Sequence, residues 1–264
     1  MKIATWNINS VRLRLDIVLK LLKEEKPDVL CLQEIKAENA VFPAKALAAL
    51  GYEFQAINGQ RGYHGVATLS RVPFARQWAV EFCEKGDARH VAVAFANGVE
   101  LHNFYVPSGG DVPDPALNEK FAHKLQFLDE MDRKYSRMKN KSTAARVLVG
   151  DLNIAPGEHD VWSHKQLLDV VSHTPIEVEK LGNVKASHDW VDVTREIVPE
   201  GEKIYSWWSY RARDWDVSDR GRRLDHVWVS PALKGAITGH TIRRDARGWE
   251  KPSDHVPVVV TLDT

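Results

Sequence analysis

The sequence predicts an α/β layered fold, and three observations predict it. Residues 3–33 run strand, helix, buried strand; residues 52–106 are rich in short strands; and a long amphipathic helix then leads into another buried strand.

The first strand covers residues 3–8. Leu13, Ile17, Val18, Leu21 and Leu22 recur on one face at helical spacing, so residues 13–26 read as a helix that Pro27-Asp28 breaks. Val29-Leu30-Cys31-Leu32 is uninterrupted apolar sequence, as expected of a strand covered on both faces, and it ends at Gln33. Strands follow at 52–57, 65–70, 91–95 and 99–106, the last two joined by Asn97-Gly98, a hairpin signal. Leu117, Phe121, Leu125, Leu128 and Met131 then mark the long helix. Residues 146–150 form a buried strand that runs into Asp151-Leu152-Asn153, and 224–229 and 256–262 are the clearest strands of the remainder. No linker, low-complexity tract or tandem repeat divides the chain, so residues 1–264 are expected to form a single domain. A short internal echo, Trp6-Asn7-Ile8 against Leu152-Asn153-Ile154, suggests two similar halves whose sheets pack together with both asparagines at one edge.

A chain of this length can bury a sizeable core. Its 36 basic and 36 acidic side chains balance, so net charge says nothing about partners. No stretch approaches the ~20 apolar residues of a membrane span. The N-terminus runs straight into a strand, so no signal peptide is expected, and the two isolated cysteines read as reduced thiols of a cytosolic protein. Arg211, Arg213, Arg220, Arg222 and Arg223, followed by Arg243, Arg244 and Arg247, could track phosphates. Taken alone, the cluster is more simply a solvated face paired with Asp214, Asp216 and Asp219.

The chemistry gathers where strands end. Asn7, Gln33-Glu34, Asp151 with Asn153, Asp225-His226 and Ser253-Asp254-His255 each terminate or precede a buried strand. A charge there is costly unless paired or bound to metal, and one such residue is usually a turn or cap. Five convergent ends are harder to explain that way. Carboxylate and amide oxygens suit a hard ion such as Mg²⁺ or Mn²⁺, whereas histidine and cysteine spacing offers no zinc site. A hard cation beside Asp and His is suited to phosphodiester hydrolysis.

The ordered segments Thr5-Trp6-Asn7-Ile8-Asn9, Leu32-Gln33-Glu34-Ile35-Lys36, Gly62-Tyr63-His64-Gly65-Val66-Ala67, Tyr105-Val106-Pro107, Gly150-Asp151-Leu152-Asn153-Ile154, Arg223-Leu224-Asp225 and Lys251-Pro252-Ser253-Asp254-His255 resemble the motifs of exonuclease III. That is the bacterial AP endonuclease family of the endonuclease/exonuclease/phosphatase superfamily, and the resemblance runs from Ile3 to Leu262. Single motifs are modest signals; the ordered set is specific. It implies a four-layer α/β sandwich, two mixed sheets face to face with helices outside. It implies Mg²⁺, with Mn²⁺ as substitute, held chiefly by Glu34, with Asn7 close by and Asp151, Asn153, Asp254 and His255 in the ligand set. Asp151 would move protons, Asn153 and Tyr105 would contact the scissile phosphate, and Asp225 would orient His255, which contacts the phosphate or acts as base. The implied protein is monomeric and cytoplasmic, at the nucleoid when it acts on double-stranded DNA carrying abasic sites or blocked 3′ ends.

Relatives in the superfamily hydrolyse inositol phosphates or sphingomyelin, so the catalytic core alone does not name the substrate. Three features favour DNA: the phosphate loop 105–110, Lys120 opening the long helix, and Tyr205-Ser206-Trp207-Trp208-Ser209-Tyr210-Arg211, which resembles the abasic-pocket segment. Rings can fill the gap of a missing base while arginines hold phosphates; read without the resemblance, Trp207 and Trp208 are as easily core residues. The expected DNA contacts are Lys120, Trp207, Arg211, Arg222 and Leu224. Against the family pattern, Ser108 stands where Asn is usual and Arg222 where an apolar residue is usual. Residues 158–187, with His159, His164 and His173, differ in the region expected to floor the site. These departures bear on the balance among abasic incision, 3′ trimming and 3′-to-5′ degradation. The competing readings are a phosphatase of small molecules or lipids and a catalytically idle DNA-binding protein; the presence of every expected catalytic position speaks against the second.

Overall fold

The computed structural model describes residues 1–138 and 142–264. The first half comprises β1 (Lys2–Asn7), α1 (Leu15–Glu25), β2 (Val29–Gln33), α2 (Ala44–Ala48), β3 (Phe54–Asn58), β4 (Val66–Ser70), β5 (Phe74–Trp78), β6 (His90–Phe95), β7 (Glu100–Tyr105) and α3 (Glu119–Ser136). The second comprises β8 (Arg146–Asp151), α4 (His164–Leu167), α5 (Pro175–Ser187), β9 (Val191–Asp192), α6 (Val193–Ile197), β10 (Trp207–Trp208), α7 (Trp215–Ser218), β11 (Gly221–Arg222), β12 (Asp225–Val229), β13 (Ile237–Ile242) and β14 (Val258–Leu262).

Two six-stranded sheets result, ordered β13-β14-β1-β2-β4-β3 and β5-β6-β7-β8-β12-β9, with a separate β10-β11 ribbon. Both sheets are mixed: β1 and β2 are parallel, as are β7 and β8, and the remaining pairs are antiparallel. The β6–β7 hairpin closes through Asn97-Gly98, as the sequence predicts.

The period of two along each strand builds the layers. Ile3, Val29, Cys31, Val147, Val149, Val227, Val229, Val258 and Val260 point between the sheets and form one apolar core. Their neighbours Ala4, Trp6, Leu30 and Leu32 face outward to Ile17, Val18, Leu21 and Leu22 of α1. On the other sheet Phe104, Leu148 and Trp228 face Phe127, Leu128 and Met131 of α3 and Leu181 and Val184 of α5. Helix, sheet, sheet, helix: the four-layer sandwich is present.

Some boundaries differ from expectation for identifiable reasons. Leu13 is 60 % exposed and Leu117 80 % exposed, so neither belongs to its helix's buried face. The long helix starts instead where the Asn118 side chain accepts from the Lys120 amide. β5 was hidden because it is an edge strand with a mostly exposed pattern. α5 carries a Thr174/Glu177 capping box with Pro175 at its first turn. Cys31 and Cys83 are free and buried, and burial pushes both thiols up to about 12.

Candidate active site

The strand parity that builds the inter-sheet core also builds the site. Asn7, Gln33, Tyr105, Asp151 and Asp225 occupy inward positions at one edge of the sandwich, where the valine ladder stops and polar residues begin. In register, Asp151 lies opposite Tyr105 on one side and Asp225 on the other, and Asn7 lies opposite Gln33. Gly150 makes this packing possible: a Cβ there would meet the Phe104 carbonyl oxygen at 2.0 Å.

Asp151 is the hub. Its Oδ2 accepts from Asn7 Nδ2 at 2.8 Å and Asn153 Nδ2 at 3.1 Å, while Oδ1 accepts from the Asn153 amide at 2.9 Å. One asparagine comes from each sheet, so the echo between the two halves is a structural one. Asn7 Nδ2 also donates to Glu34 Oε1 at 2.9 Å, and its Oδ1 accepts from the Asn9 amide. Glu34 and Asn153 both have positive φ, 46° and 55°, which turns each chain sharply off its strand. That conformation is easy for asparagine and costly for glutamate, and such strain accumulates at functional sites.

His255 Nδ1 lies 2.8 Å from Asp225 Oδ2, and its Nε2 lies 3.6 Å from Asp151 Oδ2. Asp225 Oδ2 also accepts from Ser206 Oγ at 2.6 Å, whose oxygen in turn accepts from the amides of Leu224 and Asp225. Burial pushes the Asp151 carboxyl up to about 7: the charges of Asp225 and Glu34 add to that push, and His255 and the Asn7 amide oppose it. Burial alone would lower His255, but Asp225 and Asp151 overcome it and raise the imidazole to about 10. For Glu34, burial opposes ionisation, yet Lys36 and the Asn7 amide hold it below the usual carboxylate range. Burial beside Glu34 and Asp151 raises the Tyr105 hydroxyl well above its ordinary value.

Asp151, Asp225 and His255 each present a ligand atom within 4.8 Å of the others. The Asp225–His255 pair is already hydrogen-bonded to itself, so the donor set better fits a hard cation nearer Glu34 and Asp151, on either side of Asn7. Binding by Asn7 would require its amide oxygen to turn inward.

Above this floor opens a cleft of about 660 Å³, lined by Glu34, Asn153, Asp254 and His255 below and by Trp162, Trp207, Arg211, Arg220, Arg222 and Leu224 on its walls. Asn7, Tyr105, Asp151 and Asp225 lie beneath its surface. Trp207 donates from Nε1 to Asp254 Oδ2 at 3.0 Å, with the Arg222 guanidinium 5.3 Å from its ring centroid. Arg222 donates to the Val171 carbonyl and Ser172 hydroxyl. Lys120 is exposed on the rim, beside Gly110.

The arginine cluster is paired in part as expected, Arg244 with Asp216 and Asp219; Arg243 pairs instead with Glu24, Glu25 and Asp245, and Arg223 is not solvated but buried against Asp160 and Asp192. Arg247 is buried near the rings of Tyr210 and Trp215. Residues 158–187 divide between two cavities: Trp162, Val170, Val171 and Ser172 reach the cleft, while His159 lines a separate one. Trp208, unlike Trp207, is a core residue. Sequence reading missed Ser206 under Asp225, and Arg89, which sits 5.0 Å from the Tyr105 ring centroid and pairs with Asp87. It also missed Lys124 beneath Asn153.

A family model described as "Endonuclease/Exonuclease/phosphatase family" matches residues 4–255. Exodeoxyribonuclease III of Haemophilus influenzae is 29 % identical over 268 residues, covering 98 % of each chain. Among solved structures, an AP endonuclease from Archaeoglobus fulgidus superposes with a TM-score of 0.92 at 32 % identity over the full length of both chains. A 3′ phosphatase from Neisseria bound to a product DNA hairpin gives 0.90 at 30 % identity, again over both full chains. With a matched family model spanning nearly the whole chain and the acid–imidazole cluster in place, the protein belongs to the endonuclease/exonuclease/phosphatase family and, within it, to the exonuclease III and AP endonuclease group of nuclease hydrolases.

Proposed function

We propose that this chain, as one catalytic domain over residues 1–264, is a Mg²⁺-dependent DNA phosphodiesterase of base-excision repair. Its activities would be abasic-site incision, removal of 3′ blocks including 3′-phosphate, and 3′-to-5′ degradation of double-stranded DNA. The observation that carries the reading is the buried Asp225–His255–Asp151 cluster opening on a cleft walled by Trp207, Arg211 and Arg222. Relatives that are nucleases by name support the reading, and one similar structure, a 3′ phosphatase from Neisseria, was solved with product DNA. We place it in the cytoplasm as a monomer; among the described residues no helix is long and apolar enough to cross a membrane.

Glu34 would hold the cation, with Asn7 and Asp151 beside it; Asn153, Asp254 and His255 complete the polar rim. A bound Mg²⁺ would neutralise charge developing on the phosphate oxygens. His255, raised by its two aspartates, favours the imidazolium and so a phosphate contact through Nε2. Asp151, near neutrality in its titration, is the group suited to hold a proton and release it in turnover. The balanced reaction adds water across the P–O3′ bond: water's oxygen joins phosphorus and O3′ leaves with a proton. Asn153 and Tyr105 lie where they could contact a phosphate at the floor, and Lys120, Arg211, Arg222, Trp207 and Leu224 where they could hold the strand.

The test uses three duplexes, one with a single synthetic abasic site, one intact and one ending in a 3′-phosphate, each with Mg²⁺ or EDTA. Incision and 3′ trimming that need Mg²⁺ are expected. Cleavage that survives EDTA, or none on any duplex, overturns the proposal, and the product pattern ranks the activities.

A further inference from the structure

A lysine and a glutamate, both fully buried, lie beneath the cleft and belong to none of the roles above. Lys124, on the inner face of α3, has its three ammonium donors matched by three acceptors. It donates to the Asn153 carbonyl at 2.8 Å, the Ser108 carbonyl at 3.2 Å and Glu177 Oε1 at 2.5 Å. Glu177, on the first turn of α5, accepts in turn from the Ser172 amide, the Thr174 amide and the Thr174 hydroxyl. Ser172 then accepts through its hydroxyl from Arg222 on the cleft wall at 2.6 Å.

One ion pair thus joins three loops that line the cleft: the 106–110 loop, the turn at Asn153 and the 170–174 turn. The fit is close, since a Cβ on Gly109 would meet Lys124 Cδ at 2.9 Å. Burying a charged pair in an apolar layer is rarely the most stable choice, because a well-packed apolar pair often does as well. What an apolar pair cannot do is donate to two carbonyls at once. The carbonyl of Asn153 belongs to a residue held at φ 55°, whose side chain must reach Asp151 and Val106 together.

We infer that Lys124, braced by Glu177, is a positioning residue: its ammonium fixes the backbone of Asn153 and of the Ser108 loop against the scissile phosphate. The inference rests on the proposed phosphodiesterase activity and on Asn153 facing the phosphate. Without Lys124 the turn relaxes, and the amide loses its alignment while the outer walls that hold the strand keep theirs. Misalignment of about an ångström at such a group costs on the order of 10- to 100-fold in rate.

The experiment compares Lys124→Met, the double variant Lys124→Met/Glu177→Leu, and Asn153→Ala on the 3′-phosphate and abasic duplexes. Both variants are expected to melt below the parent: Lys124→Met strands the Glu177 charge, and the double variant removes both charges but also the capping box and the acceptor of the Ser172 and Thr174 amides. Both are expected to lose kcat by about 10- to 100-fold, with KM within about threefold in Lys124→Met, where Glu177 still holds Ser172 under Arg222. Double-variant kcat within twofold of the parent overturns the inference, as does a loss confined to KM. If the double variant fails to fold, Lys124→Met assayed below its melting temperature gives the same kcat–KM split and is judged by the same two outcomes. Asn153→Ala separates this inference from its premise: near-parent turnover there removes Asn153 from the reaction, while a large loss beside an active double variant removes only Lys124.

Discussion

Two buried acid clusters meet at Arg223-Leu224-Asp225 and differ in how their charge is matched. On one side Asp160 faces both Arg223 and Arg195, and Asp192 faces Arg223: two carboxylates against two guanidiniums. Burial pushes these acids up, but the arginines prevail and hold both below the usual carboxylate range. On the other side, among the described residues, Asp151 and Asp225 pair only with the imidazole of His255, with Asp254 and the Lys36-paired Glu34 close by. There burial and like charge leave Asp151 at about 7. The residue type and burial are alike; the supply of counter-charge is not. A matched cluster ties the scaffold together, and an unmatched one is left with affinity for a cation and a proton to move.

Breaking each cluster should therefore have opposite signatures. Asp151→Asn and His255→Ala are each expected to lower turnover by roughly 10³-fold or more, with DNA affinity within about threefold of the parent. Single-turnover cleavage and fluorescence anisotropy check this, and near-normal rates would dissolve the contrast. Asp160→Asn should instead cost about 3–5 kcal/mol of stability by stranding buried guanidinium charge, read from urea midpoints, while kcat at low temperature stays within about threefold. Mg²⁺ at about 100 times its Kd should stabilise the parent and Asp160→Asn alike by about 2.7 kcal/mol, and Glu34→Gln much less.

The two clusters also respond to pH with opposite signs. Asp160 and Asp192 are lowered in the fold, so their contribution is present above the unfolded value near ~3.9 and is lost as pH falls through their folded values. Asp151 is raised, so its contribution is present below about 3.9 and is lost as pH rises through about 7. His255, also raised, contributes below about 6.5 and loses that contribution as pH rises through about 10. Metal-free protein should thus weaken from pH 5 to 8, and Asp151→Asn should flatten that decline in thermal melts with EDTA. The smallest effect belongs to Arg222, next to Arg223 in sequence but on the cleft wall. Arg222→Leu should change the ratio of abasic incision to 3′ trimming by a few-fold, about 1 kcal/mol or less. An unchanged ratio removes it from substrate choice.

The site was legible because strand alternation is legible. Once the runs ending in Asn7, Gln33 and Asp151 are recognised as strands, parity alone sends those side chains between the sheets. The echo of Trp6-Asn7-Ile8 and Leu152-Asn153-Ile154 even located the two amides that meet on Asp151. What remained hidden depends on partners remote in sequence. Arg223 reads as one more basic residue until Asp160, 63 positions earlier, is seen against it. Lys124 reads as a solvated helix residue until Glu177, 53 positions later, closes over it. Leu13 and Leu117 misled because apolar spacing extends past the caps that start the helices.

Asp151 accepts one amide from each sheet, Asn7 from the first and Asn153 from the second. The reactive centre therefore belongs to neither sheet and exists only while the two are docked. Parting them by the width of a water molecule would leave every strand ladder hydrogen-bonded and still take the amide of Asn7 from its carboxylate. A molecule in that state keeps its secondary structure and loses its chemistry. Heating or mild urea should therefore abolish turnover before the far-UV signal of the sheets falls, and coincident loss of the two would contradict a centre built across the seam.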